Sequence, residues 1–187
     1  MSDFIKLSDM PEYVIEKYAN VLPEQIINFW KKNGISTAFN GYLKAINPED
    51  FTQFVSKTFI LGEESVPLFV TAFGDVITMT KYNNEYKTIY IIKYKDGYGQ
   101  AMLGASKLFF QLLSDDYFLS KYFELDLYNQ ALERLGALNY TECFTFTPLL
   151  SLGGSKNIES LDKGGIAEYL MLITEFIGGI DQLKDSI

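Results

Sequence analysis

The 187-residue chain contains no histidine, a single cysteine and a single arginine. Without histidine it lacks the side chain that most often serves as general base, transition-metal ligand and physiological pH switch. The lone cysteine, Cys143, has no second thiol for an internal disulfide, which suits a reducing compartment. It also has no imidazole to activate it, so a buried, inert thiol is expected rather than a nucleophile. The serines share the missing base, and no Gly-x-Ser-x-Gly elbow is present. Carboxylates alone remain as metal ligands, and no calcium-loop pattern occurs. No apolar run approaches the ~18 residues that span a bilayer. The opening Met-Ser-Asp-Phe-Ile-Lys lacks the basic, apolar and small-residue succession of a secretory signal. A cytoplasmic protein without metal, cofactor or membrane segment is the expectation.

What is plentiful is apolar and acidic. Hydrophobic residues make up 48% and aromatics 16%, ample for a packed core in one large domain or two small, closely packed ones. The formal charge is −8 and the pI about 4.6. Such a chain repels a phosphate backbone, so direct nucleic-acid binding is not expected. It attracts a basic protein and speeds the encounter. Solubility alone is the competing account of the same charge.

Helices open the chain. Pro11 suits a first helical position, and Val14 with Tyr18 makes an apolar i,i+4 pair. Pro23 starts a second helix with Ile26, Ile27, Phe29 and Trp30 on one face; Lys31, Lys32 and Gly34 mark its end. Asn47-Pro48 starts a third, whose buried side is Phe51, Phe54 and Val55. A strand-rich middle follows. Pro67–Phe73 is a near-continuous apolar run punctuated by Gly74-Asp75. Val76–Tyr82 and Glu85–Tyr94 flank the hairpin pair Asn83-Asn84, and Asp96-Gly97 turns into Tyr98–Met102. The rest reads mostly as helix: Ala105–Leu113, then a helix capped by Ser114 with Asp115 and Asp116 in its first turn. Another carries Leu125, Tyr128, Leu132 and Leu135, closed by Gly136. Cys143–Leu150 reads as a strand stopping at Gly153-Gly154, with Pro148 implying an edge or a bulge. A last helix near Ile166–Ile177 puts Ile166, Tyr169, Leu170, Ile173, Phe176 and Ile177 on one face, its first turn weakened by Gly164-Gly165. The fold class is α+β: an antiparallel meander of about four to six strands, packed with several short N-terminal and longer C-terminal helices.

Two glycine motifs invite chemistry and fail on spacing. Gly97-Tyr98-Gly99 would need its third glycine where Met102 stands, and no βαβ unit surrounds it. Gly153-Gly154-Ser155-Lys156 lacks the phosphate-loop spacing and reads as a backbone requirement at a strand exit. Paired acids, Glu49-Asp50, Glu63-Glu64, Asp115-Asp116 and Glu124 with Asp126, are ordinary caps and solvated charge. Glu142, at a strand start, is the one acid whose neighbourhood allows a raised pKa; its plainer role is a hydrogen bond to a nearby loop.

One linear pattern is more specific than these. Leu127-Tyr128, Ala131, Leu135-Gly136-x-Leu138, Glu142, Phe144, Phe146, Pro148 and Leu152-Gly153-Gly154 follow one another in this order. The pattern resembles the C-terminal domain of the Tdi-type immunity proteins of bacterial type VI secretion. In the first half, Pro11-x-x-Val14, Tyr18, Leu22-Pro23, Phe29-Trp30, Gly34, Gly41-Tyr42-Leu43 and Asn47-Pro48-x-x-Phe51 are similar to the GAD-like domain, which is commonly joined to the Tdi-type domain. The resemblance implies a GAD-like region over 1–104 and an immunity region over 105–187, packed together. It implies a non-catalytic immunity protein that binds and blocks a cognate toxin in the cytosol, typically a basic DNase. Tyr169-Leu170 stands where the family's last helix usually has His-Leu, and its place on the apolar face makes packing its expected role. For the toxin-binding surface the candidates are Asp115, Asp116, Glu124 and Asp126, with Tyr117 as an aromatic anchor. The alternatives are a small-molecule or regulatory module, and a translation-linked module that the −8 charge disfavours.

Overall fold

The computed structural model describes residues 4–184. Seven strands run side by side in chain order, each antiparallel to the next: β1 (Ile5–Ser8), β2 (Ile35–Ala38), β3 (Leu43–Ala45), β4 (Ser65–Thr71), β5 (Val76–Tyr82), β6 (Glu85–Lys93) and β7 (Tyr98–Leu103). Asn83 and Asn84 have φ of 51° and 63°, the paired left-handed conformation that a two-residue hairpin demands. The helices are α1 (Glu12–Tyr18), α2 (Glu24–Asn33), α3 (Glu49–Thr58), α4 (Phe109–Leu112), α5 (Asp116–Tyr122), α6 (Leu125–Leu135) and α7 (Ile166–Ile177). β8 (Glu142–Phe146) and β9 (Leu161–Gly165) form a separate hairpin. β10 (Leu183–Lys184) closes the large sheet, parallel to β7.

Successive side chains of a strand point to opposite faces, and here both faces are covered. Phe69, Ile77 and Ile91 enter one core, with Val14 of α1, Trp30 of α2, Phe109 of α4, Phe118 of α5 and Tyr128 of α6. Their neighbours Val70, Val76 and Ile92 enter a second core, with Val55 of α3 and Tyr169, Leu170 and Ile173 of α7. The central strands are therefore covered on both faces: β4 is buried along its whole length, its polar ends Ser65 and Thr71 included. β8 reaches both cores: Phe144 and Phe146 join the first, Cys143 the second. It is tied to the sheet where Phe144 N–H donates to Ala72 O at 2.7 Å.

The α+β class holds, with eight strands in the main sheet among the described residues where about four to six were expected. The additional strands β1, β2 and β3 are three or four residues long, too short to carry a period of their own. β1 is exposed throughout, and β3 carries the buried Lys44. Ser114 is not the cap of α5. Asp115 is, accepting from Phe118 N–H at 2.7 Å. Only Phe109–Leu112 of the expected 105–113 helix is α-helical, preceded by a 3-10 turn. The 143–150 strand stops at Phe146, before the cis Thr147–Pro148 bond, so Pro148 lies outside the ladder. Gly164 and Gly165 belong to β9, not to the first turn of α7. Phe176, expected on the buried face of α7, is 57% exposed.

Candidate functional site

Among the described residues, the two groups that the sequence offered for chemistry, Cys143 and Glu142, are held in unreactive states. Cys143 is fully buried, and burial pushes its thiol up to about 12, so it stays protonated and unreactive at neutral pH. Glu142 accepts from Asn139 N–H at 2.8 Å. That bond holds its carboxyl below the usual range, the opposite of a raised general acid. Among the described residues no group of side chains is arranged to hold a metal ion, and no helix is long and apolar enough to cross a membrane. The double glycine is structural. A Cβ on Gly154 would stand 2.0 Å from Pro148 O, so only glycine lets the chain fold back there.

The strongest electrostatic feature is a cluster that sequence reading passed over. Asp75, in the β4–β5 turn, is completely buried. Lys95 Nζ lies 2.8 Å from Asp75 Oδ1, 2.8 Å from Glu124 Oε2 and 3.1 Å from Asp96 Oδ2. Lys93 Nζ sits 3.7 Å from Asp75 Oδ2 and donates to Tyr122 O at 3.0 Å. Lys156 Nζ pairs with Asp96 Oδ1 at 3.2 Å and with Glu124. Three lysines thus face three carboxylates, and the cluster is neutral. Burial alone would lower the pKa of Lys95, but Asp75, Glu124 and Asp96 outweigh it and raise it well above the ordinary value. Burial likewise opposes the charge on Glu124, and Lys95 and Lys93 override it, holding the carboxyl at about 2. The visible signal was Lys93 and Lys95 inside the apolar run Ile91-Ile92-Lys93-Tyr94-Lys95, charges in a segment that otherwise reads as core.

Tyrosines also tie the first half of the chain to the second. Tyr42 OH accepts from Glu124 N–H at 2.9 Å, Tyr128 OH donates to Asn40 O at 2.8 Å, and Tyr140 OH donates to Ala45 O at 2.9 Å. Lys44 Nζ donates to Asn139 O at 3.1 Å and to Glu142 O. Tyr169 OH accepts from Phe146 N–H at 3.1 Å and sits in the second core, a packing and positioning role.

The expected toxin-facing acids are divided by this arrangement. Asp116, Glu124 and Asp126 line one shallow depression of about 250 Å³. Asp116 and Asp126 are exposed, and Tyr117 is 74% exposed. Asp115 is exposed but its carboxylate is occupied as the α5 cap. Glu124 is committed to Lys95 and Lys156. A deeper opening of about 450 Å³ lies elsewhere, between α3 and α7, lined by Ile46, Phe51, Phe54, Tyr140, Leu170 and Met171 among others. Phe51 and Phe54, expected on the buried side of α3, are half-buried; they pack against the second core and also wall this opening.

Comparison with known proteins agrees with this architecture. Residues 1–95 match the family model of the GAD-like domain. Residues 105–177 match the model described as the C-terminal part of the type VI secretion immunity protein Tdi1. The fold is similar to the crystal structure of Atu4351 from Agrobacterium tumefaciens, with a TM-score of 0.73 and 19% identity over 98% of this chain and 89% of that one. No curated protein matches. The chain belongs to the GAD-like domain family, and behind that domain residues 105–177 are similar to the C-terminal domain of the type VI secretion immunity protein Tdi1.

Proposed function

We propose that this protein binds a cognate type VI secretion toxin in the cytosol and neutralises it without catalysis, the toxin being a basic DNase. The observation that carries the reading is the match of residues 105–177 to an immunity-protein domain. The chemistry supports it. A DNase must present basic groups to phosphates, and a chain of net charge −8 can cover them and accelerate the encounter. In this reading 1–104 is the GAD-like unit and 105–187 the immunity unit. The acids Asp115, Asp116 and Asp126 and the ring of Tyr117 contact the toxin, and Glu124 supports them from the ion-pair cluster. The test is co-expression with a candidate type VI toxin from the same genome. Protection of the host, together with loss of DNA cleavage by purified toxin at equimolar inhibitor, is expected. Undiminished killing with no complex on gel filtration would sink the proposal. A stable complex with a toxin that leaves DNA intact would keep the immunity role and remove the DNase.

A further inference from the structure

α7 carries large apolar side chains on its outer side as well as on its buried one. Ile166, Tyr169, Leu170 and Ile173 are buried, yet Met171 is 57% exposed, Leu172 43% and Phe176 57%. A helix that only had to cover a sheet would turn polar residues outward. Two depressions flank this outer face. The larger, about 450 Å³, lies toward α3 and is lined by Phe51, Phe54, Tyr140 and Met171. The smaller, about 200 Å³, lies on the other side and includes Leu172. Glu168 lines both, and Asp50 lines the larger one. No lysine or arginine is among the lining residues of either. Glu175 is exposed on the same helix. The surface is thus an apolar ridge between two hollows, and the only charge lining the hollows is negative.

From this we infer that the α7 ridge and the α3–α7 pocket are a docking surface for a protein partner bringing an apolar anchor flanked by lysine or arginine. A small ligand would fill the pocket and leave Leu172 and Phe176 in water. A second copy of this chain would bring Glu168 and Asp50 against an equally acidic face. An anionic lipid surface would be repelled by the same carboxylates. A basic, apolar protein element buries the ridge, fills the pocket and neutralises the rim together. The inference rests on the immunity reading in taking the toxin as that partner. It differs in placing the main anchor on α7 rather than at Asp116 and Tyr117.

The experiment measures binding of purified, catalytically inactivated toxin to the intact protein and to variants at exposed positions. Ala167→Phe puts a ring at the rim of the pocket, and Met171→Asp places a charge on the ridge. Unchanged unfolding midpoints certify that each variant is folded. Each is expected to weaken binding by roughly thirty-fold or more, as loss of a central anchor does. Glu168→Lys should cost about five- to ten-fold, chiefly through slower association and a flatter salt dependence. If the parent binds and both Ala167→Phe and Met171→Asp bind equally well, the docking surface is wrong while the immunity reading stands. If the parent does not bind, the immunity reading fails and this inference falls with it. Octylamine serves as a small-cation probe by thermal shift. Stabilisation that Ala167→Phe abolishes, with toxin binding unchanged, would make the pocket a small-ligand site and overturn the inference.

Discussion

Two of the places where the N-terminal and C-terminal regions meet are of opposite character. At one, Asp75, Lys93, Lys95 and Asp96 face Tyr122, Glu124 and Lys156, and every charge is answered from within the chain. At the other, Phe51 and Phe54 of α3 face Tyr140, Leu170 and Met171 across an open space of about 450 Å³. The closed junction has no charge to spare for another molecule. The open one leaves apolar surface and carboxylates unmatched. An acidic composition therefore does not say which acids a partner can use; internal lysines decide it. Glu124 shows the point, because it borders a surface depression yet spends its charge on Lys95 and Lys156.

The sharpest way to break this contrast is Asp75→Ala. It leaves Lys95 without its closest buried counter-charge, and a loss of roughly 3–5 kcal/mol in urea unfolding is expected. A loss under about 1 kcal/mol would mean that the closed junction does not hold the regions together. Acid titration comes next. The carboxyl of Glu124 titrates at about 2 in the folded protein, against an ordinary 4.5. As pH falls the unfolded chain takes the proton first. The stabilisation is complete above 4.5 and is lost as pH falls through 2, on the order of 3 kcal/mol. Burial shifts Asp75 upward, the opposite sense, so the measurable quantity is the gap between the parent and Glu124→Gln. That gap should close as pH drops from 4.5 toward 2 in a series of denaturation curves.

Smaller effects separate the surface acids. Asp115→Ala removes the α5 cap and should cost about 1 kcal/mol, whereas Asp116→Ala should stay within about 0.5 kcal/mol. Reversing both charges at once would confuse a folding defect with lost binding, and thermal unfolding of the single variants tells them apart. Smallest of all, Met171→Asp should leave stability within about 0.5 kcal/mol while weakening the proposed toxin contact. A larger loss on unfolding would make the α7 ridge part of the packing and erase the contrast between the two junctions.

Elements governed by local chemistry were legible in the chain. The Asn83-Asn84 hairpin, the Gly136 end of α6 and the bounds of α7 follow from turn geometry, capping and helical period. β1, β2 and β3 were not legible, because strands of three or four residues take their conformation from the neighbour that pairs with them. Phe176 has the right spacing for the core and still faces solvent, since period places a residue on a face but not at the end of that face's cover. The ion-pair cluster was hidden for a related reason. Its members come from residues 75, 93, 95, 96, 124 and 156, and no spacing rule connects positions so far apart.

From the sequence alone came the absence of histidine chemistry, the acidic balance, most of the helices and the family pattern ending at Gly153-Gly154. These depend on which residues are present and on their nearest neighbours along the chain. Only the tertiary structure decided which acids remain free, that Asp75 is buried, and that α7 keeps an apolar outer face beside a pocket. Those outcomes depend on which side chains meet across long sequence separations, and burial and counter-charge are properties of that meeting.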